Sequence, residues 1–395
     1  MIDFSNTKNA FEGKSDADLR GAELLFRAMA STTLVKTGKV LSNIAASIHF
    51  PIGWALRPTI YRHFVGGETL EKTRPTLEKL GSRGVCAVLD YSAEGGSSEA
   101  DINATYEETI RSLNFAKGNP HVSHGVFKPS GVGPTSVLEK VTKGETLTAE
   151  EQKRFDAFRK RFMELCRLAH EHGTRILIDA EHYAYQGIVD ELSVEAMAEF
   201  NKERAIVFAT LQMYRHDRLA LLERIDEEAR DKGFIPGIKF VRGAYMEEER
   251  MLAQKNGYPD PICKDKQATD DNYDAGVRFV LERIDHFEIF VGTHNDRSLL
   301  KATELMKQQG IAPDDKRIFF AQLYGMSDNL SFNLAKAGYN VTKYLPYAPV
   351  DKVLPYLIRR AEENTAIKGQ TTRELGSYAP KGRDVAPQKA KEKAV

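Results

Sequence analysis

Tyr356, Arg359, Arg360 and Glu363 stand at i, i+3, i+4 and i+7. If the chain from Val350 to Asn364 is helical, they share one face. Two guanidinium groups on one face form a fork pair suited to a carboxylate. A salt-bridge stripe on a solvated helix would show the same pattern, so the surroundings must decide. Polar residues recur where short apolar runs stop: Asp90, Lys128, Asp179 with Glu181, Gln212, Lys239 with Arg242, Thr293-His294-Asn295, Gln322 and Tyr344. Each alone has an ordinary explanation. Lys128, in Lys128-Pro129-Ser130-Gly131, could be solvated; Asp179 and Glu181 could cap a helix; His294 could be a satisfied core histidine. Jointly they would be costly to bury unless paired or bound to a ligand, and that favours a functional site.

The runs these residues terminate read as strands: Val85–Tyr91, His124–Lys128, Arg175–Asp179, Ala205–Leu211, Gly237–Val241, Glu288–Gly292, Arg317–Ala321 and Asn340–Tyr344. Most are near-continuous in Val, Ile and Phe, as parallel strands buried on both faces should be. Amphipathic stretches separate them, clearest at Glu150–His172 and Arg218–Lys232. Eight such units in about 280 residues predict an α/β fold, a distorted (βα)8 TIM-type barrel, with the polar residues at the C-terminal strand ends where barrel chemistry sits. A doubly wound sheet is the competitor, but no GxGxxG follows the first strand. Before the barrel, Asp16–Ser31 and Leu34–His49 carry apolar residues at helical spacing, interrupted by Pro51 and Pro58. We divide the chain into a helical N-terminal arm (1–80), the barrel (81–375), with the final helix over its mouth, and a disordered basic tail (376–395).

Lys+Arg equals Asp+Glu at 56 each, so no net charge points to nucleic acid. Cys86, Cys166 and Cys263 lie far apart, which argues against a disulfide framework or a cysteine zinc site and suits a reducing compartment. The longest uncharged stretch, Leu41 to Leu56, is too short to cross a membrane. Met1-Ile2-Asp3 opens neither a signal peptide nor an Arg-rich transit peptide. The expectation is a cytoplasmic protein, at most peripheral on the inner membrane face, and mitochondrial only if a transit segment has been removed.

Several motifs carry a family resemblance. Leu354-Pro355-Tyr356-Leu357-Ile358-Arg359-Arg360 with Glu363-Asn364 resembles the signature helix of proline dehydrogenases. So do Lys239-Phe240-Val241-Arg242-Gly243-Ala244-Tyr245, Leu89-Asp90-Tyr91 with Glu94, Thr293-His294-Asn295, Gln322-Leu323-Tyr324-Gly325-Met326, and Tyr344 ahead of Pro346-Tyr347. They occur in family order from about Tyr61 to Asn364, and the set is far more specific than any member. Met246 stands where the long bifunctional bacterial forms have Trp, so the chain is similar to the short eukaryote-type branch, without their aldehyde dehydrogenase half. Ala348 replaces a common Gly.

The resemblance implies FAD bound on the barrel face without a Rossmann domain. It implies Lys239 near the flavin N5 edge, with Gln212, Arg242, Thr293, His294, Asn295, Gln322 and Glu363 around the cofactor. Arg359 and Arg360 would clamp the carboxylate of L-proline, and Lys128 and Asp179 would sit beside the substrate and the flavin pyrimidine. Tyr344, Tyr356 and Tyr245 would wall the pyrrolidine ring, and Glu94 would pair with Arg359 as a lid. Proline would leave as 1-pyrroline-5-carboxylate, and a quinone would take the electrons. A 4-hydroxyproline oxidase is the near alternative, disfavoured by Tyr344, because that branch resembles this one with a small Ser there. A metal-dependent hydrolase using Asp179, Glu181, His182 and His294 is a remote alternative, lacking HxH or HExxH spacing, and a non-catalytic scaffold is more remote still.

Overall fold

The computed structural model describes residues 2–31, 33, 37, 56–93 and 98–366, with side chains through 361. Leu34–His49, Glu94 and the 376–395 tail fall outside the described residues or almost wholly so. Eight parallel strands close a barrel in chain order: β1 (Val85–Tyr91), β2 (Val122–Phe127), β3 (Arg175–Ile178), β4 (Val207–Gln212), β5 (Gly237–Val241), β6 (Glu288–Gly292), β7 (Ile318–Leu323) and β8 (Val341–Tyr347). β1 and β8 form the seam along the whole of β1, from Val85↔Val341 to Tyr91↔Tyr347. The TIM-type barrel expected from the apolar runs is the observed fold. Strand limits differ from the expected ones by up to three residues, most at β8, which continues through Pro346. Pairing with β7 stops at Leu323↔Tyr344, so of the strands only β1 lies beside Pro346, and no ladder bond to β7 is lost there.

Alternation along each strand divides the barrel into an inner and an outer face. Val88, Val126, Leu177, Phe208, Phe290, Ala321 and Tyr344 pack together inside it. Toward the N-terminal ends, buried His124 is ringed edge-on by Phe208, Phe290 and Phe319, beside an Arg175–Glu288 ion pair of 2.7 Å. This half is filled by aromatic packing and one closed charge pair. The outer face packs on helices such as Glu99–Ala116, Ala149–His172, Tyr183–Phe200 and Lys266–Leu281 in one continuous core. The Glu99–Ala116 and Ala149–His172 helices each begin at a capping box, Ser98 with Asp101 and Thr148 with Glu151.

The last two helices depart from a regular barrel. Asp328–Lys336 follows β7 and packs on β7, β8 and the N-terminal helix Thr7–Phe11. Val350–Ala366 follows β8 but packs on the arm helix Asp16–Met29. Val353, Tyr356, Leu357 and Ala361 meet Ala22, Phe26, Met29, Tyr61 and Phe64 there in a second apolar cluster. The arm helix thus backs the final helix from outside.

Candidate active site

β5 supplies the centre of the site. Its Phe240 points outward to Tyr273, so Lys239 points inward, and it is only 5% exposed. The Lys239 ammonium donates to Asp179 Oδ1 (2.5 Å) and to the Tyr344 hydroxyl (2.9 Å), and Tyr344 donates to the same Asp179 oxygen (2.7 Å). Asp179 comes from the end of β3 and Tyr344 from β8, so three separate strands build one closed triangle. Burial and the neighbouring Asp179 carboxylate raise the Tyr344 pKa, keeping the phenol neutral. Beside it, Lys128 donates to Asp90 Oδ1 (2.7 Å), whose other oxygen accepts from Ser92 (2.6 Å). Burial alone would raise the Asp90 pKa, but Lys128 and Ser92 outweigh it and hold the carboxyl below its ordinary range.

A second cluster spans β5, β6 and β7. Arg242 donates to Asp270 Oδ1 (2.7 Å), Thr293 Oγ1 (2.8 Å) and Ser298 Oγ (2.9 Å), with its guanidinium 4.3 Å from the Tyr273 ring centroid. Gly243 takes φ 126°, and a Cβ there would lie 2.5 Å from the Tyr214 ring, so this turn requires glycine. Gln322 bridges the Thr293 carbonyl (3.1 Å) and Ser331 (2.7 Å). His294 Nδ1 meets Ser327 Oγ at 2.8 Å, and Nε2 accepts from the Leu323 amide at 3.4 Å. Burial, with the charges of Lys343, Arg360 and Arg242, lowers the His294 pKa to about 3, so the ring is neutral. Asn295 caps the helix Asp296–Gln308, accepting from Arg297 and Ser298 amides. Gln212 is 3% exposed; its amide nitrogen reaches the Ala180 carbonyl (3.4 Å), while Oε1 has no partner among the described residues.

Tyr356 and Arg360 are buried and Arg359 is half-buried on the final helix, with the Arg360 guanidinium 5.2 Å from the Tyr356 ring centroid. This helix begins at Val350, just after β8 ends at Tyr347, and so starts from the C-terminal end of the barrel. Tyr245 follows β5, its ring 4.3 Å from that of His182. Glu363 lies on the same helix, with only its backbone described, and Glu94 lies outside the described residues.

The four residues of the hydrolase alternative have four different partners. Asp179 turns to Lys239, Glu181 to Ser130, His182 to Glu249 and His294 to Ser327. No group of three metal-ligating side chains occurs among the described residues. Asp179 and Glu181 are not helix caps either; His182 holds the cap position before Tyr183. The sequence reading missed Ser92, Asp270, Ser327 and Lys343. For Lys343 a signal existed, a lone ammonium within the apolar run of β8; its 0% exposure is offset by Asp328 at 2.9 Å.

A family model described as "Proline dehydrogenase" matches residues 73–373. Proline dehydrogenase 1, mitochondrial, of Arabidopsis thaliana is 31% identical over 92% of this chain and 82% of its own length. The carbapenem antibiotics biosynthesis protein CarD of Pectobacterium carotovorum subsp. carotovorum is 36% identical over 76% of this chain and 78% of its own. Among solved structures, proline utilization A (PutA) from Bdellovibrio bacteriovorus aligns with a TM-score of 0.72 and 20% identity, over 83% of this chain. This chain spans only 35% of that one, and the likeness is one of fold. With most of its length matched by the family model, and with relatives at this identity across most of their own length, the chain belongs to the proline dehydrogenase family.

Proposed function

We propose that the protein is an FAD-dependent dehydrogenase that oxidises L-proline to 1-pyrroline-5-carboxylate and passes the electrons to a quinone. The observation that carries this reading is the buried Lys239–Asp179–Tyr344 triangle at the C-terminal strand ends, the end of the barrel from which the arginine-bearing final helix departs. A buried charged cluster of this kind, with a guanidinium pair on the helix that follows β8, suits a small zwitterion bound against a polar cofactor.

The residues fit FAD. The buried, unsatisfied Gln212 Oε1 would accept a cofactor N–H, and Lys239, Arg242, Thr293, His294, Asn295, Gln322 and Glu363 are the other residues assigned to hold the group. Bound flavin supplies a two-electron acceptor. Arg359 and Arg360 clamp the substrate carboxylate, and Lys128, Asp179 and Lys239 set the field around the reacting carbon. Tyr344, Tyr356 and Tyr245 enclose the ring and exclude water, so orientation supplies much of the rate. Burial lowers the His294 pKa and leaves it neutral, which makes it a hydrogen-bonding group rather than a cation near the flavin. Membrane contact, where the quinone is met, is peripheral in this reading; among the described residues no helix is long and apolar enough to cross a membrane.

The test is the purified protein itself. A flavin spectrum that bleaches anaerobically with L-proline is expected. A colourless protein that takes up no added FAD, yet turns over with NAD, would overturn the assignment.

A further inference from the structure

Glu249 is 1% exposed, in the first turn of the helix Met246–Asn256. Its Oε1 accepts from the Tyr183 amide at 2.8 Å, and its Oε2 has no hydrogen-bond partner among the described residues. A carboxylate this deeply buried requires a counter-charge. The ion-pair partner the structure gives it is His182, with Nδ1 3.4 Å from Oε1. His182 occupies the cap position before the helix Tyr183–Phe200 but makes no side-chain cap bond. Its ring instead covers Tyr245, with centroids 4.3 Å apart and planes inclined by 33°.

We propose that His182 and Glu249 are a positioning pair that fixes the Tyr245 ring against the substrate and so sets how tightly the substrate is held. The proposal rests on the reading above that Tyr245 walls the pocket. The pair joins three elements: the loop after β3, the turn after β5, and the helix that the turn begins. Neither residue need touch substrate. An imidazolium held by a buried carboxylate cannot swing away, and a cation stacked on a phenol ring restrains that ring in turn.

The groups facing His182 are Glu249 and Glu248 on the helix Met246–Asn256, Glu181 beside it in the loop, and the rings of Tyr245 and Tyr185. The Glu249 contact raises the His182 pKa above its usual value, against the effect of burial, and Glu248 and Glu181 add to it. The pair is therefore charged and closed while His182 stays protonated, which it does to higher pH than a free imidazole. It opens as pH rises through the raised pKa, and Tyr245 loses its support.

The test uses the flavin-loaded enzyme. His182→Gln and Glu249→Gln should each raise KM for proline about tenfold, which is roughly 1.4 kcal/mol of binding, while kcat and flavin content change little. His182→Arg, which keeps charge and a planar stacking surface, should restore KM. Affinity for cyclopentanecarboxylate, which has no amine to titrate, should weaken with rising pH in the unmutated enzyme and stay flat in His182→Arg. A pH-independent affinity in the unmutated enzyme, or His182 and Glu249 variants with unchanged KM, would overturn the proposal if Tyr245→Ala raises KM. A normal KM in Tyr245→Ala would overturn the pocket reading and the proposal with it. A fall in kcat and flavin content at unchanged KM in the His182 and Glu249 variants would mark a merely structural role, also against it.

Discussion

Asp179 accepts from both Lys239 and Tyr344, so removing its carboxylate would strand a buried ammonium. Breaking such a pair costs roughly 3–5 kcal/mol, and Asp179→Ala should lower the thermal midpoint as well as activity. A variant that melts like the unmutated protein would argue against the triangle. Tyr344 fills space as well as donating, so proline should be oxidised much faster than trans-4-hydroxyproline, and Tyr344→Ser should narrow the gap. Equal kcat/KM for both substrates in the unmutated enzyme would exclude this role. Arg359 and Arg360 carry the sharpest expectation. Losing one charge-assisted contact costs on the order of 2–5 kcal/mol, so either Arg→Met change should cost about two orders of magnitude in kcat/KM for proline while retaining FAD. The loss should be much smaller with pyrrolidine, which lacks the carboxylate; a solvated pair would lose less than about 1 kcal/mol. At this scale the sequence exposed residues whose type conflicts with their setting. Lys239 and Asp179 stood out because charge adjoins apolar runs. The partnership of His182 with Glu249 did not, because the pair lies far apart in the chain and no local spacing joins them. His182 entered only as a possible metal ligand, and Asn295 showed its capping role only in the structure.

The final helix Val350–Ala366 has two jobs: it carries Arg359 and Arg360, and it packs Val353 and Leu357 against the arm. Phe26 lies at the heart of that contact, fully buried, edge-on to His63 and Phe64. Phe26→Ala should cost about 3–5 kcal/mol by leaving a cavity. Because the helix it supports carries the proposed clamp, KM for proline should rise more than kcat falls. Calorimetry and steady-state kinetics on one preparation would show both, and a stability loss with unchanged KM would separate arm from site. Strand existence was legible because doubly buried strands are apolar throughout. The helix Asp16–Met29 was legible from its apolar spacing and ends two residues before its expected limit. What the arm docks against was not legible. Its partners on the helix Asp328–Lys336 are asparagines and a buried aspartate, whose hydrogen bonds leave no periodic trace.

Lys14 of the arm and Lys343 of β8 meet on opposite oxygens of Asp328, at 2.6 Å and 2.9 Å. The pair thereby ties the start of the described chain to the last strand. Burial alone would raise the Asp328 pKa, but the two ammonium groups outweigh it and hold the carboxyl well below its ordinary value. A depressed folded pKa contributes stability that is full above the unfolded pKa, about 4, and is lost as pH falls toward the folded one. Urea midpoints should therefore drop below about pH 4 in the unmutated protein. Asp328→Asn should start less stable and lose less on acidification; an acid limb of unchanged steepness would assign that limb to other carboxylates. The same tie has a consequence for synthesis. Asn9 bonds Asn333, 324 residues later, and β1 waits for β8 to close the barrel. A ribosome delivers the N-terminal partner of each contact long before its mate, and such distant pairings form slowly. Arm docking and barrel closure are one late event in the life of the nascent chain, and until then the open edge of β1 is the surface that needs a chaperone's cover.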